Sequence, residues 1–182
     1  NFYTFYHMLN INKKTNLHEN TLYNNILLLS RNEVFYTTFN LADTFQNRIH
    51  LIFIHMSFLF IKIKLDKPNN EKKIFIQKTF DLMFNKIELN MREIGYGDTV
   101  INKNMKSLVK TFYNILLNCE KFKKNSNDSN NLLLSKYLDI KDKYKNGNNA
   151  LLIDYFDKYQ AFCFDLSHDS VLKGVLKFNY KE

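Results

Sequence analysis

The chain has 182 residues, which is enough for one domain with a single sizeable core, and its formal net charge is +8. Four glycines and one proline leave few residues that end strands or form tight turns, so long helices are favoured. The two cysteines form no Cys-x-x-Cys pair, which argues against a structural zinc site and favours a reducing compartment. The positive charge suits an anionic partner such as RNA or an acidic membrane surface.

The first 19 residues mix aromatic side chains with a polar run, and we interpret residues 1–19 as a loosely attached N-terminal arm. The sequence starts at Asn1 rather than Met, and no targeting signal can be read from it. A helix is predicted from Asn20 to Ser30, because Asn20 offers a capping group and apolar residues then recur on one helical face. Residues 20–182 are predicted to form one helical domain.

The most apolar stretch of the chain runs from Arg48 to Lys64. Its apolar residues cover nearly the whole helical circumference, and its uninterrupted apolar part is shorter than the roughly 20 residues that a membrane-spanning helix needs. We therefore predict a buried central helix over residues 44–64, which begins at a cap within residues 41–44 and ends at the turn that contains Pro68. This helix is expected to contact several neighbouring helices rather than lipid.

Two amphipathic helices are predicted next, over residues 72–94 and 98–121, separated by Gly95-Tyr96-Gly97. Glycine after a helix supplies the left-handed conformation that closes its C-terminus, so this turn is expected to be sharp. The apolar side chains of the first helix that are predicted to face inward are Ile76, Phe80, Met83, Ile87, Met91 and Ile94. In the second helix they are Met105, Leu108, Val109, Phe112, Ile115, Leu116 and Cys119.

The last third of the chain begins with a polar loop, predicted over residues 123–131. Helices are predicted over residues 132–145 and 149–164, and Ser167 is expected to cap a short C-terminal helix or to precede an extended tail. The predicted fold is all-α, a single compact bundle-like domain of about six or seven helices around the central one.

Catalytic and metal-binding motifs are lacking, and we predict a protein that is not an enzyme and that holds no metal or cofactor. His50 and His55 are five residues apart, so on a helix they point in different directions and cannot share a metal ion. His55 is expected to satisfy a buried hydrogen bond or to shape a pocket.

Three lysines at positions i, i+3 and i+7, namely Lys103, Lys106 and Lys110, share one helix face and offer a basic stripe to phosphates. The same spacing fits an ordinary solvated face in a lysine-rich chain. Asp43 and Arg48 are placed to pair across the first turn of the central helix. Arg92 and Glu93 fit a surface pair near a helix C-terminus.

Two segments together resemble the ubiquinol-cytochrome c chaperone family. Residues 27–64 contain an Arg and an aromatic pair, the Asp43 to Arg48 turn, and an apolar-His step at Ile54-His55. Residues 77–114 match the family's most distinctive run at Met91-Arg92-Glu93, Gly95, Gly97-Asp98, Lys103, Met105-Lys106 and Phe112-Tyr113. The chain departs from the pattern at Ile49, where an aromatic residue is usual, and at Asn114, where a small residue is usual.

The resemblance implies a non-enzymatic assembly factor for ubiquinol-cytochrome c reductase, respiratory complex III, that binds newly made cytochrome b. It also implies a small accessory assembly factor as a partner and association with the ribosome near the tunnel exit. The positive charge suits peripheral contact with a membrane, and no transmembrane segment is predicted. The implied location is the mitochondrial matrix beside the inner membrane, or the bacterial cytoplasm near the inner membrane.

The matched positions are the candidate client-binding or partner-binding residues: Asp43, Arg48, His55, Arg92, Glu93, Gly95, Gly97, Asp98 and Tyr113. Lys103, Lys106 and Lys110 are the candidate residues for an anionic partner. The alternative function is a basic ribosome-binding or RNA-binding adaptor without direct client contact.

Overall fold

The computed structural model describes residues 17–66, 69–122, 127–141 and 149–180. Within these ranges the chain forms eight helices, six of 11 to 24 residues and two shorter ones, and its only β pairing is an isolated bridge between Leu41 and Ile140. The all-α prediction is confirmed. The helices are α1 (Leu17–Ser30), α2 (Val34–Thr37), α3 (Phe45–Leu65), α4 (Asn70–Glu93), α5 (Asp98–Cys119), α6 (Asn127–Tyr137), α7 (Asn149–Asp165) and α8 (His168–Leu172).

Helix α3 is the centre of the fold, as predicted. It begins after Thr44, whose hydroxyl accepts a hydrogen bond from the backbone N–H of Asn47 at 3.1 Å. Fifteen of its 21 residues are buried, and it contacts α1, α4, α5, α7 and α8. No helix in the described part of the chain combines the length and apolarity needed to cross a membrane.

Helices α4 and α5 run antiparallel, with Phe80 beside Phe112 and Arg92 bonded to Asp98, and both helices contact α3. Most of the predicted inward faces are buried or partly buried, and both cysteines lie in the core. The prediction for Ile94 is wrong, because its side chain is 62% exposed. Helix α4 ends at Glu93, so Ile94 lies beyond the last regular turn and no longer follows the buried face.

The predictions for residues 123–145 are partly wrong. Helix α6 begins at Asn127, inside the predicted loop, and ends at Tyr137, well before residue 145. After Tyr137 the chain pairs with the segment before α3, since Ala42 donates to the carbonyl of Asp139 at 2.9 Å and Lys141 donates to that of Asn40 at 3.0 Å. These long-range hydrogen bonds replace the helical ones. Residues 123–126 and 142–145 lie outside the described ranges.

The first and last helices begin close to their predicted positions. Helix α1 begins at Leu17, three residues before the predicted start, and residues 1–16 of the predicted arm lie outside the described ranges. At the other end, the hydroxyl of Ser167 accepts a hydrogen bond from the backbone N–H of Ser170, which confirms the predicted cap of α8. Residues 175–180, here called the C-terminal strap, then continue without helical or strand structure.

Candidate functional site

A cleft of about 210 Å³ lies where the end of α1, the start of α3 and the end of α4 meet. Its lining includes the buried apolar side chains of Tyr23, Ile49, Ile52 and Ile87. Three charged residues, Arg31, Arg48 and Glu93, line it as well. We call this the motif cleft, because Arg48 and Glu93 come from the two segments that the sequence singled out.

A forked ion pair fixes Arg48 beside the motif cleft. Its Nε and Nη2 atoms donate to the two carboxylate oxygens of Asp43 at 2.7 and 2.9 Å. The guanidinium also lies 5.7 Å from the centre of the Tyr36 ring. Hydrogen bonding to Arg48 lowers the pKa of the Asp43 carboxyl. The predicted pairing of Asp43 with Arg48 across the first turn of α3 is confirmed.

The turn between α4 and α5 has the hydrogen bonds of a Schellman motif. Tyr96 donates its backbone N–H to the carbonyl of Met91 at 3.1 Å, and Gly95 donates to that of Arg92 at 3.0 Å. Gly95 has φ = 96°, a left-handed conformation that favours glycine. Gly97 has φ = −74° and precedes α5 in an extended conformation, so only Gly95 meets the expected conformational requirement.

Arg92 stabilises this turn, but its partners do not include the predicted Glu93. Its guanidinium donates to Glu88 at 2.9 Å and to Asp98 at 2.5 Å, which links the end of α4 to the start of α5. These hydrogen bonds, the one to Glu88 first, raise the pKa of Arg92. Glu93 instead lines the motif cleft. The proposed Arg92–Glu93 pair is therefore replaced by a bridge across the turn.

Exposed apolar side chains continue the cleft onto the protein surface. Phe45 and Ile94 line the cleft while remaining partly open to solvent. Tyr96 and Val100, also exposed, lie on the adjoining turn and the first turn of α5. A patch of large apolar side chains beside charged ones is typical of a protein-binding surface.

The family model described as ubiquinol-cytochrome C chaperone matches residues 37–178, which is most of the chain and includes the whole of segment 77–114 and residues 37–64 of the other motif segment. The chain belongs to the ubiquinol-cytochrome c chaperone family. The fold of this family member is similar to that in the crystal structure of the Cbp3 homolog from Brucella abortus, with a TM-score of 0.75 and 18% identity over 99% of this chain and 97% of that one. No match was found among curated protein sequences.

Membership in the ubiquinol-cytochrome c chaperone family confirms the family resemblance that was drawn from the two motif segments. It supports a role as a chaperone in the assembly of complex III, and it is consistent with a protein that is not an enzyme. The structural similarity to the bacterial protein, at 18% identity, is evidence for the fold alone.

His55, one of the family-motif positions, lies in the core and not at the motif cleft. Its Nδ1 is 2.7 Å from the carbonyl oxygen of Leu51, which can only accept, so Nδ1 carries the proton and Nε2 accepts from the hydroxyl of Tyr155 at 2.8 Å. Burial lowers the pKa of His55 to about 4. The expected buried hydrogen bond is confirmed, and a partner at the surface does not reach this side chain.

The remaining candidate residues lie elsewhere on α5. Tyr113 is half exposed and packs against Phe80, with ring centroids 5.8 Å apart. Lys103, Lys106 and Lys110 are exposed, as predicted, and do not line the motif cleft. The structure therefore brings together Asp43, Arg48 and Glu93, with Arg92, Gly95, Gly97 and Asp98 at the adjoining turn.

Sequence reasoning missed Asn47, a buried polar residue that holds the start of α3 in place. Its Nδ2 donates to the carbonyls of Ala42 and Asp139 at 2.7 and 2.9 Å, and its Oδ1 accepts from the N–H of Asp139 at 2.9 Å. His50 adds a contact between its Nδ1 and the carbonyl of Tyr137 at 2.6 Å. The sequence offered only a weak signal, because Asn47 stands beside another amide, Gln46, in the polar first turn of the helix.

Proposed function

We propose that this chain is a chaperone that binds newly synthesised cytochrome b during the assembly of complex III, and that the motif cleft with its adjoining turn is the client surface. The observation that carries the proposal is the convergence of Arg48 and Glu93, from two separate family segments, on one cleft. Family membership supports a role in complex III assembly, and the motif cleft offers an apolar surface on which a client segment can bind.

The chemistry of the motif cleft suits an apolar helical client. Its small volume accommodates about one large side chain above the buried apolar lining, and Phe45, Ile94 and Tyr96 extend the apolar contact outside it. The charged side chains of Arg31, Arg48 and Glu93 stay at the solvent side, where they limit non-specific association. A cytochrome b segment is expected to place one large apolar side chain in this cleft.

The test is recovery of cytochrome b with tagged protein purified from cells that assemble complex III. Ile94→Asp puts a charge on the exposed apolar surface without disturbing the core, because Ile94 is 62% exposed, and it is expected to reduce the recovered cytochrome b about tenfold or more. Leu132→Asp is the matched control, since Leu132 is 72% exposed on α6 and does not line the cleft. Equal recovery with both variants contradicts the proposed client surface.

The same purification tests the proposed small accessory assembly factor, which should be recovered together with the chaperone and cytochrome b. We place the protein beside the membrane that receives cytochrome b, in the mitochondrial matrix or the bacterial cytoplasm, with peripheral contact to that membrane. The alternative, an adaptor that binds ribosomal RNA without a client, is favoured by the exposed lysines of α5. Ribosome binding without any cytochrome b contact would support this adaptor.

A further inference from the structure

The C-terminal strap, residues 175–180, lies on the aromatic part of the core with alternating side chains. Leu176, Phe178 and Tyr180 are half-buried against the core, whereas Val175, Lys177 and Asn179 are exposed. This period of two is that of an extended segment with one face on the protein. The strap therefore presents a large apolar or aromatic side chain at every second position.

The strap covers four aromatic rings, those of Phe39, Tyr155, Tyr159 and Phe162, and we call the surface that they form under it the aromatic groove. The centre of the Phe178 ring is 5.2 Å from those of both Tyr159 and Phe162. The Tyr180 ring lies 5.1 Å from Tyr155 and 5.8 Å from Phe39. The strap covers these rings as a bound peptide would.

Hydrogen bonds to the backbone hold the start of the strap, where Val175 also donates its N–H to the carbonyl of Ser170 at 2.9 Å. At Gly174, Asn25 donates a hydrogen bond to the carbonyl at 2.8 Å, and an added Cβ would lie only 2.5 Å from the carbonyl oxygen of His18. Beyond this point the backbone of residues 176–179 makes no hydrogen bond to another described residue. At the far end, the Tyr180 hydroxyl donates to Asp154 at 3.0 Å. Between Val175 and Tyr180 the strap is therefore attached by its side chains, and at Tyr180 the Lys158 ammonium also lies 4.8 Å from the centre of the ring.

The aromatic groove offers rings rather than free polar groups to whatever occupies it. The Tyr155 hydroxyl is used by His55 Nε2, and the Tyr159 hydroxyl donates to the His55 carbonyl at 3.3 Å. An extended segment with large apolar side chains at alternate positions fits this surface, because its backbone stays in solvent while its side chains cover the rings. The strap itself is an example of such a segment.

We propose that the aromatic groove is a second binding surface for an extended apolar segment of the client, and that the C-terminal strap is an internal occupant that the client displaces. This inference rests on the proposed chaperone function. Phe39 in the groove and Phe45 in the motif cleft are six residues apart, so their backbones are separated by no more than about 21 Å. A client held at the cleft can therefore present a second segment to the groove at high effective concentration.

The experiment uses the full chain and a labelled peptide that corresponds to residues 174–182. In the variant F178S/Y180S the strap no longer fills the groove, and the peptide is expected to bind it at least about tenfold more tightly than it binds the wild type. The control K177S/N179S changes only exposed strap residues and should behave as the wild type does. A peptide with Ser at the positions of Leu176, Phe178 and Tyr180 should not bind. Equal peptide binding to F178S/Y180S and the wild type overturns the proposal.

Two further measurements identify the occupant. Overlapping cytochrome b peptides should compete with the labelled peptide for binding to F178S/Y180S. On the wild type, the same peptides should accelerate trypsin cleavage after Lys177. This second measurement does not depend on the folding of any variant. Absence of both effects overturns the client assignment. A wild-type dimer that is lost in F178S/Y180S would instead assign the groove to a second copy of the chain and also overturn it. Recovery of cytochrome b with the wild-type protein tests the proposed function separately.

Discussion

His55 was predicted as a candidate binding position, and in the structure it is a neutral histidine in the core. Both of its ring nitrogens are used, one as a donor to Leu51 and one as an acceptor from Tyr155. The rings of Phe35, Phe156 and Tyr159 pack around it. Burial disfavours its charged form, so its pKa falls to about 4 in the folded protein, compared with about 6.5 in the unfolded chain.

This pKa shift predicts a specific pH dependence of stability. Between pH 6.5 and about 4 the unfolded chain binds a proton at His55 that the folded protein does not, so the free energy of unfolding decreases as pH falls, by up to about 3 kcal/mol. At neutral pH, His55→Leu leaves the buried Tyr155 hydroxyl without its acceptor and is expected to destabilise by about 1–3 kcal/mol. As the pH is lowered, the stability difference between wild type and His55→Leu should therefore shrink.

Urea denaturation of the two proteins at several pH values measures that difference directly. The carboxylates and His50 titrate in both proteins, so their contributions largely cancel in the comparison. A difference that stays constant from neutral pH to about pH 4.5 would contradict the assignment of a low pKa to His55.

The two glycines of the α4–α5 turn provide a matched pair at the residue scale. Gly95→Ala places a Cβ on a residue with φ = 96° and is expected to destabilise the protein by about 1 kcal/mol or more. Gly97→Ala meets no atom within 4 Å and keeps an allowed conformation at φ = −74°, so it should be neutral or slightly stabilising. Thermal unfolding of both variants checks this order, and equal effects would show that the left-handed conformation of Gly95 is unimportant.

At the scale of helices, local signals in the sequence predicted α3, α4, α5 and α8 well. Thr44 and Ser167 act as caps where expected, and the apolar spacing of α4 and α5 identified most of their buried faces. Residues 127–141 were not predictable in this way, because their helix ends where the Asn47 side chain and the backbone of residues 40–42 bind residues 139–141. The C-terminal end of α6 is therefore set by contacts between segments that are far apart in sequence, and the spacing of apolar residues does not reveal such contacts.

The motif cleft, too, could not be predicted from local signals in the sequence. The sequence identified Arg48 and Glu93 separately, but their approach depends on how α1, α3 and α4 pack. Tyr23, which also lines the cleft, carried no chemical motif that would have distinguished it from other residues of α1, and Arg31 belonged to the first motif segment without being identified as a candidate site residue.

Asn47→Ala tests whether one buried amide fixes the segment after α6. The substitution removes three hydrogen bonds and leaves the N–H of Asp139 without its partner, so a loss of about 2–3 kcal/mol in the free energy of unfolding is expected. Hydrogen exchange at residues 138–141 should also become faster. Asn85→Ala, at an exposed position of α4, is the control and should change stability by less than about 0.5 kcal/mol. Unchanged exchange in Asn47→Ala would contradict this role.

At the scale of the whole molecule, three surfaces have different chemistry. The motif cleft is apolar with charged residues beside it, the aromatic groove is covered by the C-terminal strap, and the solvent side of α5 is basic. From Thr99 to Cys119 the chain has three lysines and no acidic residue, although the protein as a whole has 18 acidic residues. The proposed chaperone can therefore bind a client and an anionic partner through separate surfaces.

The basic side of α5 leads to a prediction about ribosome binding. If Lys103, Lys106 and Lys110 contact ribosomal RNA, the variant K103E/K106E/K110E should bind ribosomes more weakly in cosedimentation. The slope of log affinity against log salt concentration should also become smaller in magnitude by about 2 to 3, because each phosphate contact contributes about 0.7 to 0.9. The control K73E/K78E/K86E makes the same charge change at exposed positions of α4, and either variant lowers the formal net charge from +8 to +2. Equal weakening by both variants would mean that net charge alone attracts the ribosome and that α5 has no special role.

Cytochrome b peptides should bind K103E/K106E/K110E as they bind the wild type, because the lysines do not line the motif cleft or the aromatic groove. Loss of both activities in this variant would contradict two separate surfaces.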